Sequence, residues 1–159
     1  MQLKRIIVTM CCLLLSGSAL FAGAPREVDV CVYGGTSAGV IAAYTAKKLH
    51  KTVLLVSPDK HLGGLTSGGL GYTDIGNKYA ITGISRDFYR RVGKHYGKFE
   101  QWIFEPHVAE QTFLHYIKAG NVEVLYGRQV SGARKENGYI TEITLDGPSA
   151  QVIKAKMFI

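Results

Sequence analysis

One stretch constrains the fold more than any other: Val28-Asp29-Val30-Cys31-Val32-Tyr33 runs straight into Gly34-Gly35-Thr36-Ser37-Ala38-Gly39. The first six residues are mostly β-branched or aromatic, which suits a short buried strand. Val40–His50 follows with Val40, Ile41, Ala42, Ala43, Tyr44, Ala46 and Leu49, a helical pattern with a small-residue face. Thr52–Val56 (T-V-L-L-V) reads as a second buried strand. Val28 to Val56 is the length of a compact strand–helix–strand crossover, and such a crossover makes the two strands parallel.

A strand that turns tightly into a helix leaves the first helix N–H groups pointing outward, where the helix dipole adds partial positive charge. A diphosphate fits there if no side chain blocks its approach. In the dinucleotide fingerprint G-x-G-x-x-G the first glycine makes the turn, the second admits the phosphate, and the third lets helix pack on strand. Gly34 and Gly39 fill the first and third places, and Thr36 stands in the second. A threonine there pushes a phosphate slightly outward or offers it a hydroxyl. An acidic residue normally closes the second strand and takes the ribose hydroxyls; here Ser57 holds that place and Asp59 comes two residues late. The alternative is a structural glycine turn in some other α/β fold.

A long loop follows, Ser57–Gly76, with six of the nineteen glycines between residues 63 and 76. A loop of that length inside a compact domain is usually functional. Helices are expected over Ile84–Tyr96 and Pro106–Ala119, the second with Pro106 in its first turn and Gly120-Asn121 at its close. Val122–Tyr126 is a further strand. Gln129–Lys135, Tyr139–Leu145 and Gln151–Ala155 read as an antiparallel meander with turns at Asn137-Gly138 and Asp146-Gly147.

The chain has 159 residues, 47% of them hydrophobic and 19% charged, which excludes an intrinsically disordered protein. Residues 1–24 carry Lys4 and Arg5, an apolar run from Ile6 to Leu15 and a small-residue zone, the pattern of a secretory signal. Even stretched to Ala22 the apolar part is short of the ~20 residues of a membrane-spanning helix, so a cleaved signal is expected and an uncleaved anchor is the alternative. Cleavage fits Ala22-Gly23-Ala24, with sites after Ala19 or Ala22 as alternatives. An exported protein of residues 25–159 with no stable membrane span would result. Without Lys4 and Arg5 it has 17 basic and 12 acidic residues, a balance of +5, and one cysteine, Cys31, which reads as a core thiol. Arg86, Arg90, Arg91, Lys94 and Lys98 recur along one helical face, which reads as a solvated face with no nucleic-acid partner. The five histidines form no ligand spacing, so no metal is expected. His107 reads as a helix-start residue; Tyr72, Asp74 and Trp102 are candidates to approach a bound ring.

Four segments together resemble the N-terminal half of the secreted bacterial FAD-dependent oxidoreductase family: V-D-V-C-V-Y-G-G-T-S-A-G-V, H-L-G-G-L-T-S-G-G-L-G-Y-T-D, G-I-S-R-D-F-Y-R-R-V-G-K-H-Y-G and F-E-P-H-V-A-E. That family is part of the glutathione-reductase-like flavoprotein class, and some members are labelled xanthan-lyase-like. The resemblance implies an α/β fold, a Rossmann-like FAD-binding parallel sheet with an antiparallel β-meander, incomplete at its C-terminus before an acidic motif. It also implies FAD as cofactor, with Gly34, Gly35, Thr36, Ser37, Ala38 and Gly39 around its diphosphate. Ser57 would stand at the ribose, and Gly63, Gly64, Leu65 and Thr66 near the phosphates and flavin side. The Val130 backbone would meet the adenine edge. The implied function is hydride transfer from an unidentified small-molecule or carbohydrate-like substrate to flavin, with the 159 residues alone inactive and no catalytic residue assigned. The alternatives are an NAD-linked dehydrogenase, which shares the turn, and a non-catalytic nucleotide-binding fragment of a broken reading frame.

Overall fold

The computed structural model describes residues 24–147 and 150–159. The leader reading, residues 1–24, lies outside them except for Ala24. The element order is β1 (Arg26–Tyr33), α1 (Ser37–Lys48), β2 (Val53–Ser57), α2 (Gly83–His95), α3 (Pro106–Gly120), β3 (Glu123–Tyr126), β4 (Val130–Glu136), β5 (Tyr139–Leu145) and β6 (Gln151–Phe158). Short 3₁₀ turns occupy Gly64–Thr66 and Lys78–Ala80 in the glycine-rich loop. No helix among the described residues is long and apolar enough to cross a membrane.

One six-stranded sheet runs in the order β3-β2-β1-β6-β5-β4. β1 pairs in parallel with β2 (Cys31 opposite Leu54) and with β6 (Val28 opposite Ala155), and β2 pairs in parallel with β3. The expected meander is present, but its third strand is longer than the sequence indicated. Gln151–Lys154 pairs antiparallel with β5, while Ile153–Phe158 pairs parallel with β1. The strand runs on past Ala155 because a second partner, β1, accepts its later residues. One strand therefore joins the meander to the parallel sheet.

The expected strand is shifted by one residue, with Thr52 exposed ahead of it, and Val53–Val56 are buried on both faces with side chains that alternate between two cores. Val53 and Leu55 join Val30 and Val32 under the helices, against Val40, Ala43, Phe113 and Tyr116. Leu54 and Val56 face the other way with Cys31, where the meander residues Ile143, Leu145 and Ile153 cover them. The architecture is thus helices, parallel sheet and meander in three layers. Cys31 is a fully buried free thiol, and burial pushes its pKa up to about 11, so it stays protonated near neutral pH.

The N-terminal end of the sheet is fastened by Asp29. Its carboxylate accepts from Lys156 Nζ at 2.7 Å on β6 and from Thr52 Oγ1 and N at 2.7 and 2.8 Å ahead of β2. The Lys156 bond first, then the Thr52 bonds, hold the Asp29 carboxyl well below the usual carboxylate range. A folded-state pKa below the unfolded value near 3.9 means stabilisation complete above about pH 4 and lost as the pH falls below it. Asp29→Asn is therefore expected to flatten the acid limb of stability. The check is the urea midpoint measured from about pH 6 down to about pH 2, which should fall less steeply in the variant than in the native protein.

Candidate functional site

The C-terminal ends of β1 and β2 and the start of α1 meet at the glycine turn. Gly34 N–H donates to Val56 O at 2.8 Å, which ties the turn to the end of β2. α1 begins at Ser37, three residues before the start indicated by the apolar pattern, because Thr36 caps it. The Thr36 Oγ1 accepts from Gly39 N at 3.1 Å, and Thr36 O accepts from Val40 N at 2.9 Å. The threonine in the second-glycine place thus spends its hydroxyl on the helix. The first-turn N–H groups left for a ligand are those of Ser37 and Ala38.

Two close approaches leave no space for a side chain. A Cβ on Gly39 would lie 2.0 Å from Gly34 O and 3.4 Å from Val32, so glycine alone lets α1 sit this close to β1. A Cβ on Gly35 would lie 2.4 Å from Ser57 Oγ and 2.8 Å from Leu62. The turn is a bare-backbone cradle at a helix start, and it fits a diphosphate.

The loop after β2 docks onto this cradle. Gly63 N donates to Gly35 O at 2.7 Å, and Gly63 forms a parallel bridge with Thr36. Gly63 has φ 110°, and a Cβ there would strike Phe113 and Ser67 Oγ at 2.5 Å. Gly64 packs on Thr36, Leu65 is exposed, and Thr66 is half-buried. Glu110 on α3 holds the loop from below, bonding His61 Nδ1 at 2.9 Å and accepting from Leu62 N at 3.3 Å. Ser67 Oγ donates to Leu62 O at 2.6 Å. Sequence reasoning gave Glu110 no role of its own; the partner it holds is 49 residues away.

Gly34, Gly35, Thr36, Ser37, Ala38, Gly39, Gly63, Gly64 and Thr66 thus come together around the start of α1. Ser57 lies beneath the turn, fully buried, and its Oγ accepts from Asp59 N at 3.2 Å, while Asp59 itself is exposed. Val130 opens β4, and its N lies 3.5 Å from Tyr33 Oη at the end of β1. Between them is Arg128, whose N donates to Ser57 O at 3.1 Å. Its Nε and Nη2 are buried without a hydrogen-bond partner among the described residues, and Asp146 stands 3.8 Å from Nε. Orphaned guanidinium nitrogens are costly, so this end of the site is built with unspent donors. No sequence signal marked Arg128.

Other candidates settle into structure. Trp102 is buried, stacked on Tyr89 at 4.0 Å between ring centroids. Tyr72 and Asp74 are exposed. Arg86 and Arg90 both bond Glu100, and Arg91 pairs with Asp87 and lies over the Tyr116 ring. His107 sits in the first turn of α3. No group of three or more potential metal ligands assembles among the described residues.

Solved structures share this fold. Thermovibrio ammonificans THI4 matches with a TM-score of 0.56 at 16% identity, over 98% of this chain and 62% of its own. A geranylgeranyl bacteriochlorophyll reductase-like protein of Thermoplasma acidophilum matches with a TM-score of 0.60 at 20% identity, over 85% of this chain and 39% of its own. L-proline dehydrogenase from P. horikoshii matches with a TM-score of 0.61 at 14% identity, over 84% and 52%. At these identities the likeness is one of fold, and the chain spans less than two thirds of each. No curated protein matches the sequence. The family model described as FAD dependent oxidoreductase matches residues 29–159, which takes in the cradle, the docked loop and the meander. With a bare-backbone cradle at a helix start and a family match over most of its length, the chain belongs to the FAD dependent oxidoreductase family.

Proposed function

We propose that this chain is the cofactor-holding part of an exported oxidoreductase that passes a hydride from a small organic or carbohydrate-like substrate to FAD. The observation that carries the reading is the Gly39 approach to Gly34 O, which sets a bare helix start, where the first N–H groups have no partner inside the helix. When bound, the flavin supplies the two-electron acceptor, and the protein supplies position and electrostatics. The residues here bind and orient. Gly34, Gly35 and Gly39 admit a diphosphate, Thr36 fixes the helix start, and the Gly63–Thr66 loop lies across the turn. Ser57 and Val130 mark the adenosine end. The cradle sits on a sheet packed on both faces by apolar side chains.

The test is direct. The protein expressed with its leader and purified from the exported fraction should be yellow, show the two flavin absorption bands and release FAD on denaturation. Its N-terminus should begin near Pro25. A colourless protein that takes up no FAD on reconstitution overturns the reading. One that binds NAD(H) in place of flavin supports the dehydrogenase alternative, since the same turn serves both cofactors.

A further inference from the structure

A groove of ≈ 320 Å³ lies between α2 and α3, and it shares no lining residue with the glycine turn or the docked loop. α2 supplies Arg91, Lys94 and His95, which stand on one helical face at spacings of three and four. α3 supplies Gln111 and His115, one turn apart, over a floor that includes the buried Val108. His107 stands a further turn before Gln111, with its ring centroid 6.1 Å from that of His95. No acidic side chain lines the groove among the described residues.

The charges around this groove do not balance. Residues 83–120 hold four acids, Asp87, Glu100, Glu105 and Glu110. Each is already engaged. Asp87 accepts from Arg91 Nε and from Tyr116 Oη, both at 2.6 Å. Glu100 takes Arg86 and Arg90, Glu105 takes the Tyr96 hydroxyl, and Glu110 takes His61 and Leu62 N. α1, packed against α3, adds Lys47 and Lys48 and no acid. Lys94, His95, His107 and His115 make no ion pair among the described residues. A protonated His107 also lies in the first turn of α3, at the positive end of that helix. Histidines as a class gain charge as the pH falls from about 8 to about 5, so acid makes the groove more cationic with no free carboxylate to offset it.

We propose that this groove binds a sulfate or phosphate group, with an affinity that rises on acidification. Lys94 supplies a constant charge. His95 and His115 supply charge and N–H donors together, from opposite walls, and the Gln111 amide supplies a neutral donor. The site is independent of the cofactor reading, because none of these residues lines the cradle.

Sulfate is the probe, since its own charge is constant across this pH range. It is titrated into the full chain at about pH 5.5 and about pH 8, with ionic strength held constant by chloride and the histidine ring resonances followed by NMR. Binding should be saturable at the lower pH and about tenfold or more weaker at the higher. His115→Gln is exposed and spares the core; it should weaken sulfate about threefold or more at the lower pH and reduce the pH dependence. Lys94→Gln should weaken it by a similar factor at both pH values. Lys154→Gln, exposed on β6, is the control for net charge and should leave sulfate binding native. Glucose 6-sulfate, titrated in parallel, distinguishes the sources: tighter binding than sulfate points to a sugar ester and equal binding to the free anion, and either supports the site. No saturable binding at the lower pH, equal affinity at the two pH values, or equal losses in Lys94→Gln and Lys154→Gln overturns it.

Discussion

Replacing Gly39 with alanine is expected to cost about 2–4 kcal/mol of folding stability and to remove nucleotide binding. The added methyl would sit 2.0 Å from the Gly34 carbonyl oxygen, and that atom belongs to the backbone of the turn itself. No rotamer change relieves the clash. Either α1 lifts off β1, opening the core around Val32 and Val40, or the turn rearranges and its cradle is lost. Urea unfolding reads the first effect, and titration with FAD and with ADP reads the second. Gly76→Ala is the control: nothing lies within 4 Å of the added methyl, so its stability should stay within about 0.5 kcal/mol of the native value. A Gly39→Ala protein with native stability and native affinity would show that the close approach is dispensable.

Phe113→Ala should be more damaging to the fold. Phe113 is 2% exposed, stacks on Phe88 and fills the space that Gly63 leaves open. Removing a ring from such a site typically costs about 3–5 kcal/mol, because the cavity collapses only partly. For a domain of this size that is a fall in Tm of about 10–20 °C, readable by thermal unfolding. The loop effect is separate. Gly63 N would keep its bond to Gly35 O, but the loop would lose the wall it rests on, so FAD affinity should fall as well. Phe113→Leu should recover most of the stability, since it restores most of the lost volume.

Much of the fold was legible in the sequence, for identifiable reasons. The V-L-L-V run has no polar face, and it lies in a strand with a core on each side, Val53–Ser57, one residue later than the apolar pattern indicates. Asn137 and Gly138 both take positive φ, 50° and 88°, as the tight hairpin between β4 and β5 requires, and so the turn could be read from two letters. The start of α1 was misplaced by three residues because an apolar pattern reports the buried face of a helix, while its first turn here is set by the Thr36 cap. The third meander strand was read too short. Its second half is stabilised by β1, more than a hundred residues earlier, and local alternation carries no trace of that partner.

The site was legible as a list of residues but not as an arrangement. Thr36 stands where the fingerprint has its second glycine, and the folded chain uses its hydroxyl as the helix cap. Ser57 was placed by its position in the chain, while its burial under Gly35 follows from packing. Trp102 is a core residue because Tyr89 lies ready to stack on it, and Arg128 stands out because two of its nitrogens are buried without a partner among the described residues.

By itself the sequence determined the order of strand, glycine turn, helix and strand, and with it the parallel sheet and the helix start that faces the ligand. These depend on residues within a few positions of one another, where hydrophobic period and backbone freedom act directly. Only the tertiary structure decided what surrounds that helix start: the loop pinned by Glu110, the stacked rings of Phe88 and Phe113 beside it, and the one strand that serves both sheet and meander. Those are contacts between distant segments, set by volume and by which polar groups remain unpaired when the layers close.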